Sequence, residues 1–172
     1  MNSKRYSPVT VVIPTHRQEP RGLFAFSQQA ERVIVLCNGS FFFSTSLENV
    51  DIVVQEWKGH GQTRQEAIAL VQTPYVFFSV DDAIPAANIF EYLIQSLEET
   101  AADAIIPRQI AFEDASEITK KDLERWTPLQ DRYYPMQQSD HVGTLYRTEQ
   151  LKREPIPSVP IAEDAWWSMG RR

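Results

Sequence analysis

The chain has a single cysteine, no apolar run long enough to span a bilayer, and no excess of cationic side chains. Each lack removes a class of protein. Cys37 alone cannot close an intramolecular disulfide, so the fold needs no oxidising compartment, and no cysteine cluster proposes zinc. A reducing, cytoplasmic setting is the expectation. Behind Lys4 and Arg5 the apolar run is broken by Thr10 and Pro14, too short for a signal-peptide core or a membrane span, so no integral membrane segment is expected. Asp and Glu number 23 against 17 Lys and Arg, a formal net charge of −6. The cationic excess that neutralises a phosphate backbone is therefore missing, so binding of nucleic acid over the whole surface is not expected, while a local basic patch stays open. Internal repeats and Gly/Ser linkers are missing too, so residues 1–172 read as one domain, long enough to bury a core.

What is present is an alternation of short apolar strands and helical patterns. Residues 9–13 (VTVVI) are β-branched and apolar and stop at Pro14, which suits a strand buried on both faces of a parallel sheet. Residues 32–37 (RVIVLC) run into Asn38-Gly39-Ser40, and 50–55 (VDIVVQ) end before Lys58-Gly59-His60-Gly61, so both feed turns. Between the first two strands, 22–31 carry a weak helical pattern. Phe41-Phe42-Phe43 match neither period. Residues 62–71 have an apolar helical face before Thr73-Pro74, 75–80 (YVFFSV) form a fourth strand ending at Asp81-Asp82, and 86–100 form an amphipathic helix. A fifth strand is expected at 104–107, a helix at 118–126, a loop at 128–138 and a short strand at 142–146; Pro155, Pro157 and Pro160 then interrupt regular structure. The expected fold class is α/β: a single Rossmann-like domain with a mainly parallel central sheet flanked by helices. Such sheets bind ligands beyond the carboxyl ends of their strands, so the loops after strands are the candidate site.

Asp81-Asp82 is the sharpest feature in those loops. Two adjacent carboxylates are hard oxygen ligands that suit Mg²⁺ or Mn²⁺, through which they would reach a diphosphate. The bland alternative makes Asp82 a helix cap and Asp81 a solvated side chain. Arg64, on the expected helix 62–71, carries a guanidinium fork that matches phosphate oxygens; its alternative is a surface salt bridge with Glu66 or another acid. Thr15 and His16 follow the first strand, and Asn38 the second; each is either a nucleoside contact or an ordinary loop residue. His60 and His141 have no partner at metal-ligand spacing and receive no role.

The order of these motifs resembles the family 2 glycosyltransferases, which have the A-type fold of the nucleotide-diphospho-sugar transferase superfamily. VTVVIPTHRQEP is similar to the family's first strand and its nucleotide-contacting loop, and RVIVLCNGS to its second strand and turn. GHGQTRQEAIALVQTPYVFFSVDDAIP resembles the helix carrying an arginine and the strand delivering the acidic metal motif. VGTLYRTEQL with IAEDAWW resembles the acceptor-side strand and the glutamate-aspartate pair.

The resemblance implies that Asp82 is a metal ligand and that Asp81 beside it supports the ribose or the ion. Val80 stands where many members have the first aspartate of a DxD motif. Arg64 corresponds to the arginine near the diphosphate, while Pro14, Thr15, His16, Cys37 and Asn38 line the nucleotide-sugar site. Cys37 occupies a position where an aspartate commonly meets the uracil edge. Asp164 corresponds to the base that deprotonates the acceptor hydroxyl, and Glu163 to the residue that orients the acceptor; either also reads as a helix cap.

The implied activity is metal-assisted, inverting transfer from a nucleotide-diphosphate sugar, a UDP-sugar first, to a glycan or other hydroxyl-bearing acceptor. Mn²⁺ or Mg²⁺ is the implied cofactor. Residues 1–112 form the nucleotide-sugar-binding part and 113–172 the acceptor-side part. A non-catalytic nucleotide-sugar-binding relative is the alternative, since the chain ends soon after the glutamate-aspartate pair; in a transferase Trp166, Trp167, Arg171 and Arg172 would replace part of the acceptor pocket, and the adjacent tryptophans also read as ordinary packing residues. A nucleotidyltransferase would need a glycine-rich phosphate loop after the first strand, and PTHRQEP has no glycine. A phosphatase with an aspartate nucleophile would carry its aspartates after that same strand, and PTHRQEP has no aspartate.

Overall fold

The computed structural model describes residues 6–56, 58–126, 143–154 and 156. Expectations for loop 128–138, His141, Glu163, Asp164, Trp166, Trp167, Arg171 and Arg172 lie outside the described residues. The chain order is β1 (Ser7–Thr15), α1 (Leu23–Ser27), β2 (Ala30–Asn38), β3 (Val50–Gln55), α2 (His60–Leu70), β4 (Tyr75–Phe78), α3 (Ile89–Thr100), β5 (Ala104–Ile105), α4 (Glu117–Trp126), β6 (Thr144–Arg147) and α5 (Thr148–Arg153). These strands form one six-stranded sheet in the order β3-β2-β1-β4-β6-β5. The pairs β1–β2, β1–β4 and β2–β3 are parallel; β6 runs antiparallel to both β4 and β5.

Strand alternation sorts the core into two layers. Val9, Val11 and Ile13 of β1, with Val33, Val35 and Cys37 of β2 and Phe77 of β4, pack against Leu23 and Phe26 of α1 and Phe90 and Leu93 of α3. Val12, Ile34, Leu36, Val76 and Phe78 meet Ala67 and Ile68 of α2 and Leu151 of α5 on the other face. Burying each such side chain contributes about 1.5–3 kcal/mol relative to leaving it exposed, and a one-residue slip of register would exchange the two sets. The one polar side chain in the middle of β1 is satisfied. Thr73 Oγ1 donates to the Tyr75 carbonyl at 2.7 Å, so its 2.8 Å contact with the buried Thr10 Oγ1 takes its proton from Thr10.

The structure departs from the sequence pattern where tertiary pairing decides. The weak helix expected over 22–31 is only Leu23–Ser27, because Ala30 and Glu31 join β2, with Ala30 in register with Ser7. Gln29 caps this transition, its amide reaching the carbonyls of Ala25 and Ala86 while its oxygen accepts from Ile89 N–H. The phenylalanine run lies outside any helix or strand: Phe41 and Phe43 are half-buried against the α1/α3 layer, and Phe42 is exposed. β4 ends at Phe78, two residues short of the expected Val80, and α3 starts at Ile89 after Asn88 in a left-handed conformation. Asp82 therefore does not cap the helix that follows it. No helix among the described residues is long and apolar enough to cross a membrane.

Thr73→Val is expected to strip the Thr10 hydroxyl of its acceptor and to cost about 1–3 kcal/mol. The check is urea unfolding, where the midpoint should fall with an unchanged slope.

Candidate functional site

After β1 the chain builds outward through β2 and β3, then returns to add β4 on β1's other side. The order reverses between β1 and β4, and in open α/β sheets that reversal opens a crevice beyond the strand ends. The ends of β1, β2, β3 and β4 share one edge of the sheet, and β6, running the other way, begins there: Gly143 N–H donates to the Phe78 carbonyl at 2.8 Å.

At the reversal, the loops after β1 and β4 are joined. Ser79 N–H donates to the Val12 carbonyl at 2.9 Å, extending the β1–β4 contact one residue beyond the strand. Thr15 Oγ1 lies 2.9 Å from Asp81 Oδ2, and Arg21 N–H donates to the Asp81 carbonyl at 2.8 Å. Gly22 completes the contact, since a Cβ there would stand 2.3 Å from the Ala83 carbonyl oxygen. Only glycine lets the two loops approach so closely. The result is a turn at residues 80–83, closed by Ala83 N–H on the Val80 carbonyl at 3.3 Å, in which Asp81 is half-buried and Asp82 exposed.

The other expected residues distribute around this junction. Pro14 is half-buried near the end of β1, and His16 is exposed in the loop beyond it. Thr15 stands in register with Cys37 on β2. Cys37 is fully buried in the α1/α3 layer, where burial pushes its thiol pKa up; it presents no surface of its own. Asn38 is also buried, with its Oδ1 accepting from Gln55 Nε2 at 3.3 Å. Arg64, on α2, is 6% exposed, with its guanidinium carbon 6.0 Å from the centroid of the Phe78 ring at the end of β4. The surface pair with Glu66 is not formed: Lys58 and Gln62 hold that carboxylate at 2.9 and 3.2 Å, and Lys58 lowers its pKa. Glu163 and Asp164 lie outside the described residues.

Sequence reasoning did not anticipate Arg21 and Gly22 as parts of the site. The PRG step just before an expected helix was the available signal, but nothing local says that a distant carbonyl will press against the glycine. It also missed residues 106–112, which run from β5 along this edge. A Cβ on Gly143 would meet the Gln109 amide at 2.5 Å, and Arg21 stacks over the Phe112 ring at 4.6 Å.

Among the described residues no three His, Cys, Asp or Glu side chains gather into a cation cage. The donor set nevertheless fits a hard divalent ion of the kind bound by one or two carboxylates plus substrate phosphates, which is what Asp81-Asp82 offers.

The chain matches the model of glycosyl transferase family 2 over residues 10–155 and belongs to that family. Among solved structures it is similar to S. aureus TarS 1–349 in complex with UDP, at 17% identity and TM-score 0.64, covering 94% of this chain and 54% of that one. It is also similar to the mannosyltransferase PcManGT from Pyrobaculum calidifontis in complex with GDP-Man and Mn²⁺, at 16% identity and TM-score 0.65, covering 95% and 51%. The chain thus spans about half the length of these relatives, and at such identities the likeness speaks for the fold. No curated protein sequence matches it.

Two outcomes follow from this packing. Gly22→Ala should force the turn at 80–83 or the entry to α1 to move, lowering stability by about 1–3 kcal/mol by thermal unfolding. Cys37, with a folded-state pKa raised above its unfolded value, should contribute its stability below about pH 8.5 and lose it as pH rises further. Its reaction with a thiol-specific disulfide reagent at pH 8 should be slow in the native protein and fast in urea.

Proposed function

We propose that this chain transfers a sugar from a nucleotide-diphosphate donor to an acceptor hydroxyl by a single inverting displacement. One observation carries the reading: Asp81, the first of two adjacent carboxylates, is tied to the loop after β1 at the sheet's order reversal. Family membership supports it, as do the fold relatives in complex with UDP and with GDP-Man and Mn²⁺.

In this reading Pro14, His16 and the backbone at the ends of β1 and β2 surround the nucleoside, and Arg64 forks onto the diphosphate. A guanidinium shielded from water interacts more strongly with phosphate than an exposed one, and its planar fork sets the orientation of the leaving group. Asp82 and Asp81 would hold Mn²⁺ or Mg²⁺, which when bound supplies positive charge to the departing diphosphate. The acceptor oxygen attacks the anomeric carbon from the face opposite the diphosphate, forming the new glycosidic bond. The carbon–oxygen bond to phosphate breaks, and its electron pair leaves with the nucleoside diphosphate. The acceptor's proton passes to Asp164, a step worth on the order of 10²–10⁴-fold in rate, with Glu163 orienting the acceptor. Residues 1–112 serve the donor and 113–172 the acceptor, a glycan or another hydroxyl-bearing molecule. Two nucleotide bases occur among the fold relatives, so the donor panel must include both.

The test is calorimetric titration with UDP-, GDP-, CMP- and dTDP-sugars, with and without Mn²⁺. One nucleotide sugar should bind in a metal-dependent way, and Asp82→Ala should abolish that dependence. Arg64→Lys should weaken the nucleoside diphosphate on the order of tenfold while sparing the free nucleoside, as expected for one lost charge-assisted bond. Asp164→Asn should keep donor binding and lose transfer. Donor binding without transfer to any glycan acceptor, unchanged by Asp164→Asn, would favour a binding protein over a transferase.

A further inference from the structure

We propose that Thr15 is a positioning residue that orients the Asp81 carboxylate for the divalent ion, and so couples the nucleotide loop to the metal. The inference rests on the donor-site reading above. It differs from the sequence expectation, in which Thr15 touches the base or ribose directly.

Thr15 ends β1 and is only 2% exposed, which leaves its side chain almost no surface for a nucleoside. Its hydroxyl already has two acceptors, the Gln18 carbonyl at 2.6 Å and Asp81 Oδ2 at 2.9 Å. One proton serves both, so the residues 15–18 turn and the Asp81 rotamer cannot change independently. The carboxylate is the charged acceptor and the stronger one. Asp81 is gripped a second time by the same loop, through Arg21 N–H on its main-chain carbonyl.

A carboxylate with one oxygen engaged in this way has its other oxygen, Oδ1, left for a ligand. Outer hydrogen bonds of this kind align metal ligands and typically change metal affinity 10–100-fold when removed. With Val80 in place of a third acid, the turn has no spare carboxylate to substitute for a misaligned Asp81. A loop that meets the nucleotide therefore also sets the metal ligand, and each ligand must change the affinity of the other by the same factor.

The experiment compares wild type, Thr15→Ser, Thr15→Val and Asp82→Ala by titration with UDP and with GDP, each with and without Mn²⁺. The quantity read is the gain in nucleotide affinity that Mn²⁺ produces. Thr15→Val should lower that gain about tenfold or more while leaving metal-free affinity near wild type, and Thr15→Ser should restore it. Should the valine variant not fold, Thr15→Ala removes the same hydroxyl and is read the same way. Equal losses with and without Mn²⁺ would make Thr15 a nucleoside contact or a structural prop and overturn the proposal. So would a full Mn²⁺ gain in Thr15→Val when Asp82→Ala has lost it, an outcome that leaves the donor site standing. No Mn²⁺ gain in wild type with either nucleotide would overturn the donor site and this proposal together.

Discussion

Everything at the candidate site depends on β1 being paired on both sides. Its hydrogen-bonding groups are shared between β2 and β4, and its side chains are buried in both layers, so its position is the least negotiable in the sheet. Once β4 adds beside β1 instead of extending from β3, the two chains leaving those strands must emerge side by side. The joint between Thr15 and Asp81, the Arg21 bond and the glycine contact at Ala83 elaborate that adjacency. Strand order thus determines which loops can share a ligand, and side-chain chemistry then decides what the ligand can be.

The sheet's two faces carry different neighbours near its carboxyl edge. Cys37 turns into the layer of α1 and α3, whereas Arg64 rides on α2 over Phe78 on the opposite face. The α2 helix is seated there by Ile34 and Leu36 of β2 against its Ala67 and Ile68, so the strands fix where the Arg64 side chain lies relative to the strand ends.

Much of this was legible in the residues themselves. The β-branched runs announced β1, β2 and β3, and the apolar periodicity of 62–71 and 86–100 announced α2 and α3, because those patterns are burial requirements written locally. The strand-end position of Asp81-Asp82 was legible for the same reason. Three things were not. The helix after β1 was over-extended, since sheet pairing at Ala30 outweighs a weak helical pattern and no local signal reports a partner strand. Asp82 looked like a cap because the distance to the next helix is set by Gln29 holding Ile89, a contact between residues 60 apart. Gly22 and Arg21 were invisible as site residues, since their role is defined by a carbonyl that only the folded chain brings near.

If Asp81 and Asp82 share an ion, as proposed, the absence of an acid at Val80 gives the joint its significance. Where three positions carry two flanking acids, a metal has redundant oxygens and the alignment of any one matters less. Here the acids are adjacent, and neighbouring side chains on a turn diverge, as the half-buried Asp81 and exposed Asp82 do. For both to reach one ion, the turn and at least one rotamer must be held in advance, because ordering them during binding would cost affinity. The loop after β1 supplies that restraint from two directions, at the carboxylate and at the carbonyl of the same residue. In the proposed site, then, two adjacent acids would serve in place of a longer acidic motif because a neighbouring loop, itself fixed by the central strand, does the aligning.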